Sequence, residues 1–128
     1  MLDPPCSALG LRPKLKFDSV GDFDQYGTYQ QTFVAQAVAL LKPGGFMTYS
    51  TCTFNALENE DVVAYILREF QTMELVPIEL DIGTPGLAGR GLTDEQCNWI
   101  RRFDPSDTHS DTMGFFVAKF VKKQVHAP

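Results

Sequence analysis

The chain has 128 residues, 44% hydrophobic and 21% charged, with a formal net charge of −5 at pH 7. That length suits one domain burying about two-thirds of its unfolded surface, and the balance excludes a disordered chain. The acidic excess opposes whole-molecule attraction to a polyanion, so nucleic acid would have to meet short basic clusters: Arg12, Lys14 and Lys16, or Arg101 and Arg102.

Each of those clusters, taken alone, reads as solvated surface charge. No run of about 18 apolar residues marks a membrane span, and the start lacks a secretion-signal pattern. Cys6, Cys52 and Cys97 are odd in number and without paired spacing, which reads as reduced thiols in a cytoplasmic or nuclear setting. His109 and His126 are not at ligand spacing to them, so no metal site is expected.

In chain order, residues 1–26 read as mostly loop, broken by Pro4, Pro5, Gly10, Pro13, Gly21 and Gly27. Phe33, Val34, Ala37, Val38 and Leu41 then recur at helical spacing, and Lys42-Pro43-Gly44-Gly45 stops that helix. Phe46-Met47-Thr48-Tyr49-Ser50 predicts a strand. A helix follows, with Asn55 and Glu58 spaced as a capping box and Val62, Val63, Ile66, Leu67 and Phe70 as its buried stripe. Residues 74–78 predict a strand, at a sheet edge because of Pro77. Thr93 and Gln96 make a second capping box, opening a helix to about Arg102. The apolar run from Gly114 to Val121 is the strongest strand signal and predicts a sheet covered on both faces.

Strands alternating with helices predict an α/β fold with a parallel-type sheet and crossover helices. In such sheets chemistry sits beyond the carboxyl ends of the strands. Asp3 to Cys6 and Ser50 to Thr53 both lie there, and neighbouring strands are about 4.8 Å apart. The cysteine pair has three readings. Buried packing is the ordinary state of a free cysteine. A disulfide is geometrically allowed but disfavoured by compartment. A pair of working thiols is the third, with a helix dipole following Cys52 to favour its thiolate.

The words around the cysteines are more specific. "DPPCSALGLRPKL" followed by "LLKPGGFMTYSTCTFNALENE" and a late "RRFDPSDTHSDTMGFFVAKF" resembles the Sun-domain RNA (cytosine-5)-methyltransferases, with the flavour of their transfer-RNA-modifying members. The Asn-Glu pair of that family falls on Asn59 and Glu60. The resemblance implies a Cys52 nucleophile for C6 of cytosine, Cys6 assisting product release, Asp3 binding the base, and RNA, in particular tRNA, as partner. It implies S-adenosyl-L-methionine as cofactor, with only Asp3 and Pro4 walling its methyl end here. Residues 1–128 then correspond to the carboxy-terminal half of a truncated, doubly wound, Rossmann-like methyltransferase sheet, starting inside a central strand. The Gly-rich loop and ribose-binding acid of the family have no counterpart, and "KPGG" reads as a helix-to-strand turn.

Two departures concern loop geometry: Pro4 replaces the family's Ala, and Ala8 replaces its Gly. Pro4 removes an amide donor, and Ala8 is strained if its position is left-handed. A second reading is a non-catalytic module that pairs with RNA or another chain. An exocyclic amino methyltransferase, suggested by Asp-Pro-Pro, is a lesser one, since Cys6 stands where an aromatic ring would stack. A start inside a central strand would leave the strand at 46–50 as an open sheet edge, which predicts a homodimer or a complementing chain.

Overall fold

The computed structural model describes residues 1–12 and 20–124; Lys14, Lys16 and His126 lie outside them. The elements are α1 (Val20–Leu40), β1 (Phe46–Thr51), α2 (Glu60–Glu69), β2 (Met73–Val76), α3 (Asp94–Trp99), β3 (Arg101–Phe103) and β4 (Phe115–Lys122).

The strongest strand of the sequence is the spine of the sheet. β4 pairs with β1, β2 and β3, in the order β1-β4-β2 with β3 also on β4. Phe116, Ala118 and Phe120 are fully buried on one face, while Phe115, Val117 and Lys119 on the other are half-buried.

The expected parallel-type sheet is not what forms. All named pairs are antiparallel, with Tyr49 opposite Ala118 and Leu75 opposite Phe120. Connection length explains this: parallel neighbours need a crossover, whereas antiparallel ones accept a short return. β1 and β2 share a direction, since both oppose β4, and α2 is the crossover between them. β4 instead arrives from β3 through the loop at 104–114, with Phe103 opposite Phe115, and so enters reversed. One parallel contact lies outside the named strands: Leu2 bridges to Tyr49. Its N–H donates to the Thr48 carbonyl at 2.7 Å and its carbonyl accepts from Ser50 N–H at 3.0 Å. The β1 edge expected to be open is therefore paired from Thr48 to Ser50, although Phe46 is 61% exposed.

Val34 and Val38 of α1 join Val62, Val63 and Ile66 of α2 over Met47, Tyr49, Phe116 and Phe120 as one core. α1 starts at Val20, inside the stretch expected to be loop. Gly27, which reads as a helix breaker, is there because the helix backbone runs close to α2's approach: a Cβ on it would stand 2.6 Å from the Leu57 carbonyl oxygen.

Two local expectations are corrected by tertiary contacts. α2 begins at Glu60 rather than after Asn55, and its N-cap Asn59 makes no side-chain cap, because that side chain is committed to β1 and the loop after it. The capping box at Thr93 and Gln96 forms as expected, but α3 ends at Trp99. Arg102 is instead drawn into β3, exchanging backbone hydrogen bonds with Thr84 at 2.8 Å each way. Lys42 to Gly45 is the expected turn, with Gly44 at φ +79°.

Candidate active site

Two loops meet at the end of β1, one running from Asp3 to Gly10 and one from Cys52 to Asn59. Neither has a regular ladder, so side chains must satisfy the buried backbone. Glu58 is the hub of the side chains that do this. It is fully buried, and its carboxylate accepts from Ser7 N–H at 2.8 Å, Ser7 Oγ at 2.6 Å, Gln30 Nε2 at 3.0 Å and Asn55 Nδ2 at 2.9 Å. Gln30 Nε2 also donates to the Pro5 carbonyl at 3.1 Å. Ser7 and Thr53 hydroxyls are 2.9 Å apart; because Ser7 donates to Glu58, Thr53 is the donor in that pair. Asn59 completes the second loop, accepting from Thr51 Oγ at 2.6 Å and donating to the Thr53 carbonyl at 3.0 Å.

Residues on both sides of each cysteine are thus pinned, and the thiols face each other. Cys6 Sγ lies 3.1 Å from Cys52 Sγ, within hydrogen-bonding range and unbonded covalently. The expected juxtaposition of the two loops is present, tighter than sheet spacing alone implies. Asp3 is exposed beside them, and its Oδ1 accepts from Ser50 Oγ at 3.2 Å. Pro4 is buried. Cys97 is elsewhere, its Sγ 3.5 Å from the Leu87 carbonyl, and burial pushes its thiol up.

A third tie joins the rim to β4. Gly10 N–H donates to the Cys52 carbonyl at 2.9 Å, and Gly114 N–H to the Gly10 carbonyl at 2.8 Å. A Cβ on Gly10 would stand 2.2 Å from the Gly114 carbonyl oxygen, so no side chain fits. Two residues earlier, Ala8 sits at φ +55°, the left-handed position in which its methyl is strained. Ala8→Gly is expected to raise stability by about 1 kcal/mol, read as a higher midpoint in urea. A lower midpoint would mean that the methyl contributes more by packing than it costs in strain.

The electrostatics of Cys52 reverse one expectation. Its thiol is pushed up to about 12, chiefly by burial, then by its hydrogen bond to Cys6 and the charge of Cys6, with Asp3 a minor contributor. The helix dipole does not lower it, because α2 begins only at Glu60 and opens with the acids Glu60 and Asp61. Alkylation of Cys52 by iodoacetamide, followed by peptide mass, should accelerate through pH 10 with no plateau. Cys6→Ala removes two of the raising causes and should increase the rate at pH 8. A plateau near pH 8.5 in the unsubstituted chain would contradict this. The same shift makes the folded chain hold a proton that the unfolded chain has lost. Its contribution to stability is therefore present below about pH 9 and lost as pH rises toward about 12.

Arg101 and Arg102 are not solvated surface charges. Arg102 is 12% exposed and forms a forked ion pair with the fully buried Glu60, and its Nη1 donates to the Phe54 carbonyl at 3.0 Å. Arg101 donates to the Ile78, Leu80, Asn98 and Ile100 carbonyls. Sequence reasoning gave Glu58 only a capping role and assigned none to Ser7 or Gln30. An acid on the loop between the second cysteine and the helix was the available signal for Glu58, and its capping-box spacing concealed it. Among the described residues, no group of three His, Cys, Asp or Glu side chains is placed to hold a metal, and no helix is long and apolar enough to cross a membrane.

The family described as 16S rRNA methyltransferase RsmB/F matches residues 1–121. The chain is 44% identical over 132 residues to the rRNA (cytosine-C(5))-methyltransferase NOP2C of Arabidopsis thaliana, covering 94% of this chain and 22% of that protein. It is 41% identical over 147 residues to the tRNA (cytosine(72)-C(5))-methyltransferase NSUN6 of Mus musculus, covering 97% and 31%. The crystal structure of NSun6 from Pyrococcus horikoshii with SFG superposes with a TM-score of 0.79 at 37% identity, over 97% of this chain and 29% of that one. The chain therefore spans between about a fifth and a third of the length of these relatives. Nearly every residue here has a counterpart in that family, the fold is shared with a solved member, and the conclusion is plain: the chain belongs to the RsmB/F family of RNA cytosine-5 methyltransferases.

Proposed function

We propose that this chain carries the nucleophile side of an RNA cytosine-5 methyl-transfer site, with tRNA as the substrate class. The carrying observation is the 3.1 Å approach of Cys6 and Cys52 on two loops fixed by a common buried carboxylate. C5 of cytosine is a poor nucleophile. As the Cys52 sulfur adds at C6 its thiol proton passes to the ring at N3, beside Asp3, and ring electrons move to C5, which can then accept a methyl group. Loss of the C5 proton to solvent and departure of Cys52, which takes back the ring proton, regenerate the aromatic ring, and Cys6, in contact with Cys52, assists that release. Asp3, exposed at the rim and held by Ser50, binds the ring edge. The target base must leave its stack to reach these groups.

S-adenosylmethionine supplies the electrophilic methyl group in this family. Of this chain, Asp3 and the buried Pro4 fit the wall beside its methyl end, and the described residues offer no ribose- or adenine-binding set. In the free chain Cys52 stays protonated at neutral pH, so an idle nucleophile is protected from adventitious reaction.

The test is a chimaera. The tRNA (cytosine(72)-C(5))-methyltransferase of Pyrococcus horikoshii is 37% identical over 124 residues, and its matching stretch can be exchanged for this chain. Methyl transfer to tRNA, read with radiolabelled cofactor, supports the reading. A folded chimaera that binds tRNA and cofactor but transfers nothing favours the non-catalytic module.

A further inference from the structure

A groove beside the cysteine rim is unaccounted for by the groups proposed to perform methyl transfer. Phe54, Leu87, Arg102, Phe103, Asp104 and Ser106 are among the residues lining it, and its volume is about 460 Å³. Phe54 follows the Cys52-Thr53 pair directly, yet its ring is 46% exposed, as is Leu87. An aromatic ring left half in water, on a loop otherwise fixed by buried hydrogen bonds, calls for an occupant.

The lining narrows the chemistry. Its single cation is neutralised, since the Arg102 guanidinium is held on the Glu60 carboxylate and the Phe54 carbonyl. Its other charge is the Asp104 carboxylate, whose Oδ1 accepts from Ser106 N–H at 2.8 Å and Ser106 Oγ at 2.7 Å. A phosphate would therefore meet a net repulsion. An aliphatic chain would desolvate Asp104 with no donor in return. A flat ring with a hydrogen-bond-donating edge fits both features: Phe54 and Phe103 offer faces for stacking, and Asp104 offers an acceptor for an amino group. The volume lies within the range of small-ligand sites and accommodates one nucleoside.

We propose that this groove is a nucleobase subsite, receiving an unpaired base that neighbours the target cytosine in the RNA strand. It rests on the RNA reading of the cysteine rim. Adenine, cytosine and guanine carry the exocyclic amine that Asp104 accepts from; uracil does not. The subsite therefore prefers the amino-bearing bases at the flanking position and holds the strand beside Cys52 through stacking. Binding here needs neither cofactor nor covalent chemistry.

The experiment uses the 128-residue chain with six-nucleotide single-stranded RNAs, A6 and U6, followed by amide chemical shifts in NMR and by fluorescence anisotropy. A6 should shift amides at 54, 84, 86, 87, 102–104 and 106 and bind several-fold more tightly than U6. Stacking on an aromatic ring is worth about 1–3 kcal/mol per base, so Phe54→Ala should weaken A6 binding roughly 5- to 150-fold. Asp104→Asn, which keeps a side-chain oxygen to accept from Ser106, should erase the preference for A6 over U6 while retaining binding. Equal binding of A6 and U6, an unchanged affinity in Phe54→Ala, shifts confined to other surfaces, or no shifts with either RNA would each overturn the subsite. None of those results touches the methyl-transfer reading, which the chimaera decides separately. Failure of the chimaera with a positive A6 result would leave the groove as a base-binding site on a non-catalytic chain.

Discussion

In the chimaera, Cys52→Ala is expected to abolish methyl transfer, a loss on the order of 10⁴-fold or more, as when a covalent nucleophile is deleted from other enzymes. Cys6→Ala should instead stall the reaction after methylation, with RNA trapped on the protein. Cys6 no longer assists elimination, and that loss outweighs the easier departure of a Cys52 thiolate freed of the hydrogen bond and neighbouring charge that help hold its thiol at about 12. Both variants should fold, because the hydrogen bonds fixing the loops run through Ser7, Glu58, Gln30 and Asn59 and through backbone groups, not through the thiols. A denaturing gel with labelled tRNA separates the cases. An adduct in Cys52→Ala, or full turnover in Cys6→Ala, would reassign the roles.

Glu58→Ala should be the most damaging single substitution for stability in the isolated chain. Truncation leaves Ser7 N–H, Ser7 Oγ, Gln30 Nε2 and Asn55 Nδ2 without the acceptor they share. Each unsatisfied buried donor costs about 1–3 kcal/mol. Water entering the vacated space recovers part of that, so a net loss of at least about 3 kcal/mol is expected. In a domain of this size that lowers Tm by roughly 10 °C or more. Glu58 has no cationic partner among the described residues, so the effect should persist in 1 M salt, where an exposed ion pair such as Arg68–Glu69 would be screened. A thermal melt within about 2 °C of the unsubstituted chain would show that water or a rearranged loop replaces the carboxylate.

The difference between an acid that caps and an acid that clamps is where sequence reading stopped. Periodicity marked α1's buried face and the stripe of Val62, Val63 and Ile66, because burial of an apolar stripe is a local constraint that repeats along the chain, and an unbroken apolar run marked the strand from Gly114 to Val121. The capping box at Thr93 was legible for the same reason, as both partners lie within one turn. The two cysteine loops and Asp3 were legible as words. Their meeting followed from the rule that loops at one sheet rim converge.

Spacing could not tell what Glu58 binds. Asn55 and Glu58 satisfy the same local pattern as a true cap, and only the arrival of Ser7, 51 positions away in sequence, makes the carboxylate a bridge. Likewise Gly27 and Arg102 read locally as a breaker and a surface charge. The Leu57 carbonyl and the buried Glu60, supplied by distant chain, turn them into a packing contact and an ion pair. Strand direction was decided at the same level. Alternation of strands and helices specifies that β1 and β2 run the same way, but the reversed insertion of β4 depends on which edge the chain returns to. Cys52 is the sharpest case. From sequence its position before a helix favoured a thiolate, whereas desolvation and a thiol at 3.1 Å hold it protonated. Local order along the chain specifies which residues are chemically equipped; their charge states and partners come from the folded environment, because solvation and long-range hydrogen bonds do not belong to neighbours in the chain.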